Sequence, residues 1–153
     1  MNANDSILMT DDWRSHLIED DEGIARVLHA TRRVAVLGIK IETWQPAHYV
    51  AAYCQRAGLT VVPVPVYYPD ATEILGERVY RHLADIPGEV DMVDVFRRPR
   101  DIPPHLDDII AKRPRSVWFQ LGIRNDEAAE RLAREGIDVV QDRCLMVELQ
   151  HLH

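Results

Sequence analysis

The chain has 153 residues, 46% of them hydrophobic and 28% charged, and its 18 Lys and Arg face 25 Asp and Glu for a net charge of −7. That is one domain's worth of chain, long enough to bury a core unaided. The acidic balance argues against a nucleic-acid partner, which would meet a basic face, and no run approaches the roughly 18 apolar residues of a membrane span. The two cysteines, Cys54 and Cys144, stand far apart with no Cys or His at metal-ligand spacing. With no apolar leader at the start, the expectation is a reducing cytoplasm, free thiols and no metal site.

Residues 1–22 are polar and acid-rich and read as an N-terminal segment, loosely attached over its first twelve positions. Residues 23–153 read as one domain. Asp21 to Ala30 carries Ile24, Val27 and Leu28 at helical spacing. The run Val34-Ala35-Val36-Leu37-Gly38 then marks a first strand, apolar throughout and therefore buried on both faces. Pro46 to Ala57 is a helix stopped by Gly58, and Leu59 to Val64 is the second strand. Residues 66–90 are irregular, with a short strand expected near Arg78 to Tyr80 and a turn at Pro87-Gly88.

Asp91 to Phe96 makes a third main strand. Asp101 is placed to cap a helix with Pro103 and Pro104 in its first turn and Leu106, Ile109 and Ile110 on its buried side. Ser116 to Leu121 is the fourth strand, followed by a helix capped by Asn125 and closed by Gly136. Ile137 to Val140 is the fifth strand, and a last helix begins near Leu145. Strands alternating with helices at this spacing predict an α/β, Rossmann-like, doubly wound sheet of five mainly parallel strands in a single three-layer domain. Ligands of such sheets bind outside the carboxyl ends of the strands.

A dinucleotide loop would read G-x-G-x-x-G after the first strand, but residues 38–46 hold one glycine, Gly38. Nor does a carboxylate end the second strand, Val61-Val62-Pro63-Val64-Pro65-Val66, where NAD needs one for its ribose. What remains suits a phosphorylated ligand. Lys40 follows the first strand and can face a pyrophosphate together with the next helix N-terminus, or be an ordinary solvated lysine. Tyr67 and Tyr68 follow the second strand and can flank a purine or simply pack. Arg97 and Arg98 follow the third and can pair with a phosphate, or form a loop charge pair.

No catalytic constellation emerges: there is no G-x-S-x-G elbow, no phosphate-binding Walker loop and no His-Glu pair at zinc spacing. Asp91 and Asp94 lie three apart on a strand and so face opposite sides. Arg143 beside Cys144 can favour the thiolate, with a buried, inert cysteine as the plainer alternative.

The segments Val34-Ala35-Val36-Leu37-Gly38, Val62-Pro63-Val64, Glu73-Ile74-Leu75-Gly76-Glu77, Leu83-Ala84-Asp85-Ile86-Pro87, Val93-Asp94-Val95-Phe96-Arg97-Arg98, Val117-Trp118-Phe119-Gln120-Leu121-Gly122 and Asp142-Arg143-Cys144 occur in this order. In them the chain resembles the small stand-alone CoA-binding proteins, whose domain is similar to the CoA-binding domain of the succinate–CoA ligase alpha subunit. The resemblance implies a five-stranded sheet binding coenzyme A over its strand tips. Gly38, Ile39 and Lys40 would meet the phosphates, and Val64 and Pro65 would line the nucleotide side. Phe96, Arg97 and Arg98 would border the cofactor, with Gln120 and Gly122 near its pantetheine arm. The chain departs from many relatives in having Ile39-Lys40 where they have a serine, and Pro65-Val66 where they have Asn-Pro.

The expected function is therefore binding of CoA or an acyl-CoA, without catalytic residues of its own. The alternatives are a nucleotide-dependent enzyme such as an NAD(P)-type oxidoreductase, and a scaffold subunit with a vestigial site. A protein partner or a homo-oligomer is compatible with each.

Overall fold

Apolar runs of three to five residues become the strands, because only a parallel sheet covered on both faces buries every side chain of such a run. The computed structural model describes residues 12–152; the loosely attached start expected from sequence falls almost wholly outside them. The main elements are α1 (Asp21–His29), β1 (Arg33–Leu37), α2 (Pro46–Arg56), β2 (Thr60–Val64), β3 (Glu73–Ile74), β4 (Glu77–Arg78), β5 (Met92–Val95), α3 (Leu106–Lys112), β6 (Ser116–Phe119), α4 (Asp126–Arg134), β7 (Asp138–Val140) and α5 (Leu145–Gln150). Five strands form one parallel sheet in the order β2-β1-β5-β6-β7. This is the doubly wound, Rossmann-like arrangement that the alternation predicts.

The sheet separates two cores. Ala35, Leu37, Val93, Val95, Val117 and Phe119 pack with Leu106 and Ile109 of α3 and Leu132 of α4. On the other face Val34, Val36, Met92 and Trp118 pack with Val27 of α1, Val50 and Cys54 of α2 and Leu145 of α5. Pro63 is tolerated because β2 is an edge strand; its carbonyl still accepts from the Tyr80 N–H at 3.0 Å. At the other edge Leu17 bridges to Val139, and Ile18 N–H donates to the Val139 carbonyl at 2.9 Å. Residues just before α1 are thereby joined to the sheet.

Two helix starts are closed by side chains, one by Asn125 as the sequence predicts and one by Asp20. Asp20 accepts from Gly23 N–H and Asn125 from Ala128 N–H, at 2.8 and 3.0 Å, each worth about 1 kcal/mol. Asp101 does not cap. Pro99–Asp101 and Pro103–His105 form 3-10 turns, α3 starts only at Leu106, and the Asp101 carboxylate is taken by Arg98 at 2.8 Å. Two successive prolines lack the N–H groups that a longer helix would use. The irregular stretch holds a small hairpin, β3 with β4, turning on Leu75 and Gly76 at φ +56° and +74°. Its second strand, β4, overlaps at Arg78 the strand expected near Arg78 to Tyr80.

The chain runs from β1 outward to β2, then returns past β1 to β5. The order reverses between β1 and β5, which opens the crevice where such sheets bind ligands. Gly38 closes β1 there at φ +89°, its N–H donating to the Val64 carbonyl at 2.9 Å, while Phe96 N–H donates to the Leu37 carbonyl at 2.9 Å. A Cβ on Gly38 would stand 2.4 Å from the Phe96 carbonyl oxygen, well inside contact distance. Gly58, at φ +95°, has nothing within 4 Å of the same position. Gly38→Ala is accordingly expected to lower the unfolding free energy by about 2–4 kcal/mol, and Gly58→Ala by only about 1, in urea titrations. Equal losses would show that crowding at the crossover is not what requires glycine.

Candidate functional site

The carboxyl tips of β1, β2, β5 and β6 bring together most of the residues that the sequence marks. After β1, Ile39 is fully buried, while Lys40 turns back over the next loop. Its Nζ lies 3.8 Å from the centre of the Tyr67 ring, a cation–π contact, and its carbonyl is held by His48 Nδ1 at 2.9 Å. After β2, Val64 and Pro65 are buried beneath this shelf and Tyr67 is half exposed above it.

Tyr68 fastens the two loops together. Its hydroxyl donates to the Glu42 carboxylate and accepts from Ile41 N–H at 3.3 Å. The hydrogen bond from Tyr68 holds the Glu42 carboxyl below the usual carboxylate range, while burial and that carboxylate push the Tyr68 phenol up. Arg81 completes the fastening by donating to the carbonyls of Tyr67, Tyr68 and Ala71. Tyr68 itself sits at φ +60°, a left-handed conformation rare for a large side chain and kept only where the surroundings impose it.

After β5, Phe96 and Arg97 are half buried. Arg98 is exposed and paired with Asp101, whereas Arg97 makes no hydrogen bond through its buried Nε and no ion pair among the described residues. Burial, and after it the Arg97 guanidinium, depress the basicity of half-buried His105, with Asp108 and Asp101 opposing. The N-terminus of α2, which follows the β1 loop, has Pro46 in its first turn and no side-chain cap from Gln45. A guanidinium with a spare donor and an open helix N-terminus suit an anion. Gly38 is pressed against the Phe96 carbonyl, which brings the β1 tip close beneath Arg97.

Gln120, at the tip of β6, is 4% exposed and faces inward. Its Nε2 donates to Asp94 Oδ1 at 2.6 Å and its Oε1 accepts from Leu145 N–H at 3.4 Å. It thus ties β5 to the start of α5. Gly122, at φ +82°, donates its N–H to Asp142 Oδ1 at 2.6 Å. Arg143 is directed to Asp21, Glu148 and the Glu19 carbonyl, and half-buried Cys144 opens α5.

Sequence reasoning missed Asp94. It is wholly buried in β5 and its Oδ2 has no partner. Burial pushes its carboxyl up to about 7, opposed by the Gln120 hydrogen bond. A carboxylate inside the apolar run Val93-Asp94-Val95 was the available signal. Glu42, Arg81 and His105 gave none, because their roles come from contacts between separate loops. Asp91 lies away from Asp94, its carboxylate accepting from the Arg32 and Arg33 N–H groups at 2.9 Å.

An unfolded Asp loses its proton near pH 3.9, and Asp94 in the folded chain holds its proton up to about pH 7. Between these values the native state binds the extra proton, so its stability falls as pH rises. Asp94→Asn removes that dependence: between pH 4 and pH 8 the stability difference is expected to shift toward the variant by roughly 2–4 kcal/mol in urea unfolding. Parallel pH profiles would show that Asp94 ionises normally.

The model of the CoA binding domain family matches residues 32–150. The uncharacterized protein YneT of Bacillus subtilis is 32% identical over 124 residues, 81% of this chain and 90% of that protein. A solved structure from Thermus thermophilus superposes with a TM-score of 0.81 at 39% identity, covering 88% of this chain and all of the other. The dinucleotide forming acetyl-coenzyme A synthetase 1 of Ca. Korarchaeum cryptofilum, at 20% identity and TM-score 0.62, shares the fold over 73% of this chain and 26% of its own.

Proposed function

The chain belongs to the CoA binding domain family, and from that premise we propose that it binds coenzyme A or an acyl-CoA across the tips of β1, β2 and β5. The observation that carries the reading is the convergence at the strand-order reversal. There Gly38 has no room for a side chain, Arg97 has a buried donor without a partner, and α2 starts without a cap. Phosphate oxygens supply the acceptors and negative charge that Arg97 and the start of α2 lack. Lys40, seated on an exposed tyrosine rather than in an ion pair, adds a second mobile cation.

Each residue then has a limited task. Gly38 and Ile39 shape the turn beneath the phosphates, and Lys40 and Arg97 neutralise them. Val64, Pro65 and Tyr67 form the floor and side of the nucleotide end, and Phe96 borders the middle. Arg98, paired with Asp101, lies at the rim. Gln120 acts through position, keeping β5 and the start of α5 in register beneath the pantetheine arm, while Gly122 sets the turn beside it. Binding at this shelf is the whole activity proposed; the cytoplasm, where CoA and free thiols coexist, is the matching compartment.

Isothermal titration with CoA, dephospho-CoA and NAD tests this. CoA is expected to bind and NAD to fail, because the chain lacks the glycine loop and the ribose carboxylate that NAD requires. Arg97→Ala is expected to weaken CoA binding by about 1.5–3 kcal/mol, roughly tenfold or more, by removing a charged donor. Absence of CoA binding at millimolar concentration would overturn the reading.

A further inference from the structure

All seven large apolar side chains that are exposed among the described residues lie at the carboxyl edge of the sheet. Ile41, Trp44 and Tyr49 follow β1, Val66 and Tyr67 follow β2, Leu121 follows β6, and Val147 is in the first turn of the helix after β7. Single exposed apolar residues need no explanation, but their confinement to one edge marks a surface that meets something apolar. Trp44, 73% exposed, and Leu121, 69% exposed, are the most open of them.

Leu121 is held outward by its neighbours. Gln120 is anchored inside by Asp94 and Leu145, and Gly122 by Asp142, which itself sits at φ +58°. The segment is thus pinned on both sides of Leu121, and left-handed backbone on a non-glycine residue is used to do it. In the sheet, β5 with Arg97 and Arg98 lies between β1 and β6, each neighbour roughly 4.8 Å away. The edge therefore has a basic centre, with Ile41 and Trp44 on one side and Leu121 on the other.

We propose that the site takes acyl thioesters of CoA with an apolar chain, the chain lying over Leu121. The inference rests on the CoA reading and names the substrate class within it. Free CoA is a polyanion ending in a small thiol and leaves this apolar flank in water. An acyl-CoA joins an anionic head to an apolar tail, in the same pairing that the edge presents. A second copy of the chain fits less well: a two-fold contact on this edge would set Lys40, Arg97 and Arg98 against their own counterparts.

The test compares CoA, acetyl-CoA and octanoyl-CoA by titration against the full chain and against Leu121→Ser, with sedimentation equilibrium on both proteins. The octanoyl thioester is expected to bind about tenfold or more tighter than acetyl-CoA, from partial burial of its added methylenes. In Leu121→Ser that ratio is expected to fall to about twofold, with the protein monomeric throughout. Equal affinity for CoA and octanoyl-CoA in the unsubstituted chain overturns the acyl inference and leaves CoA binding standing. Failure of all three ligands overturns the CoA reading itself. A dimer lost in Leu121→Ser, with no dependence on chain length, assigns the edge to a second copy and overturns the proposal.

Discussion

The close passage of the β1 tip under the β5 tip governs the rest of the molecule. With the Gly38 N–H on the Val64 carbonyl and the Phe96 N–H on the Leu37 carbonyl, three strand ends are locked in register at one point. No side chain fits between Gly38 and the Phe96 carbonyl. A backbone without side chains at a crossover is an approach route for a ligand as well as a packing requirement. The same constraint that lets β5 lie beside β1 places the uncapped start of α2 at the reversal of strand order. The fold and the site share one cause.

Around that point the protein divides polar duties sharply. Half-buried carboxylates such as Asp101 and Glu42 are each engaged by a neighbour, Arg98 or Tyr68, and titrate lower for it. Asp94 goes the other way: buried, half-satisfied by Gln120, it holds its proton toward neutrality. A buried carboxyl with one empty acceptor position destabilises the fold as it ionises. Its return is positional, since the chain from Asp94 through Gln120 to Leu145 sets where the β6 tip and α5 stand. The loops of β1 and β2 are joined just as specifically by Tyr68, Glu42 and Arg81, which give the shelf a defined shape.

Local signals were read well where the physics is local. The five strands, the Asn125 cap, the α2 start at Pro46 and the missing dinucleotide loop were all legible, because each depends on residues within a few positions of one another. Asp101 misled for an instructive reason. Its type and place are those of a cap, but the paired prolines downstream removed the donors and Arg98 took the carboxylate. The short strand near Arg78 was legible, but its partner β3 was not, because the turn between them uses a left-handed Leu75, a conformation that propensity assigns to glycine or asparagine.

By itself the sequence determined the order and type of the elements, the buried character of each strand, and the lack of both features that NAD requires. Tertiary structure alone decided which strand-tip residues face each other. It turned Gln120 inward onto Asp94 and its neighbour Leu121 outward. It bound Tyr68 to Glu42 across 26 residues of chain and left the Arg97 Nε without a partner among the described residues while occupying Arg98. The physical reason is that strand order follows from crossovers. β5 lies between β1 and β6 only once both faces of the sheet are covered, and no local pattern states which tips will then be neighbours.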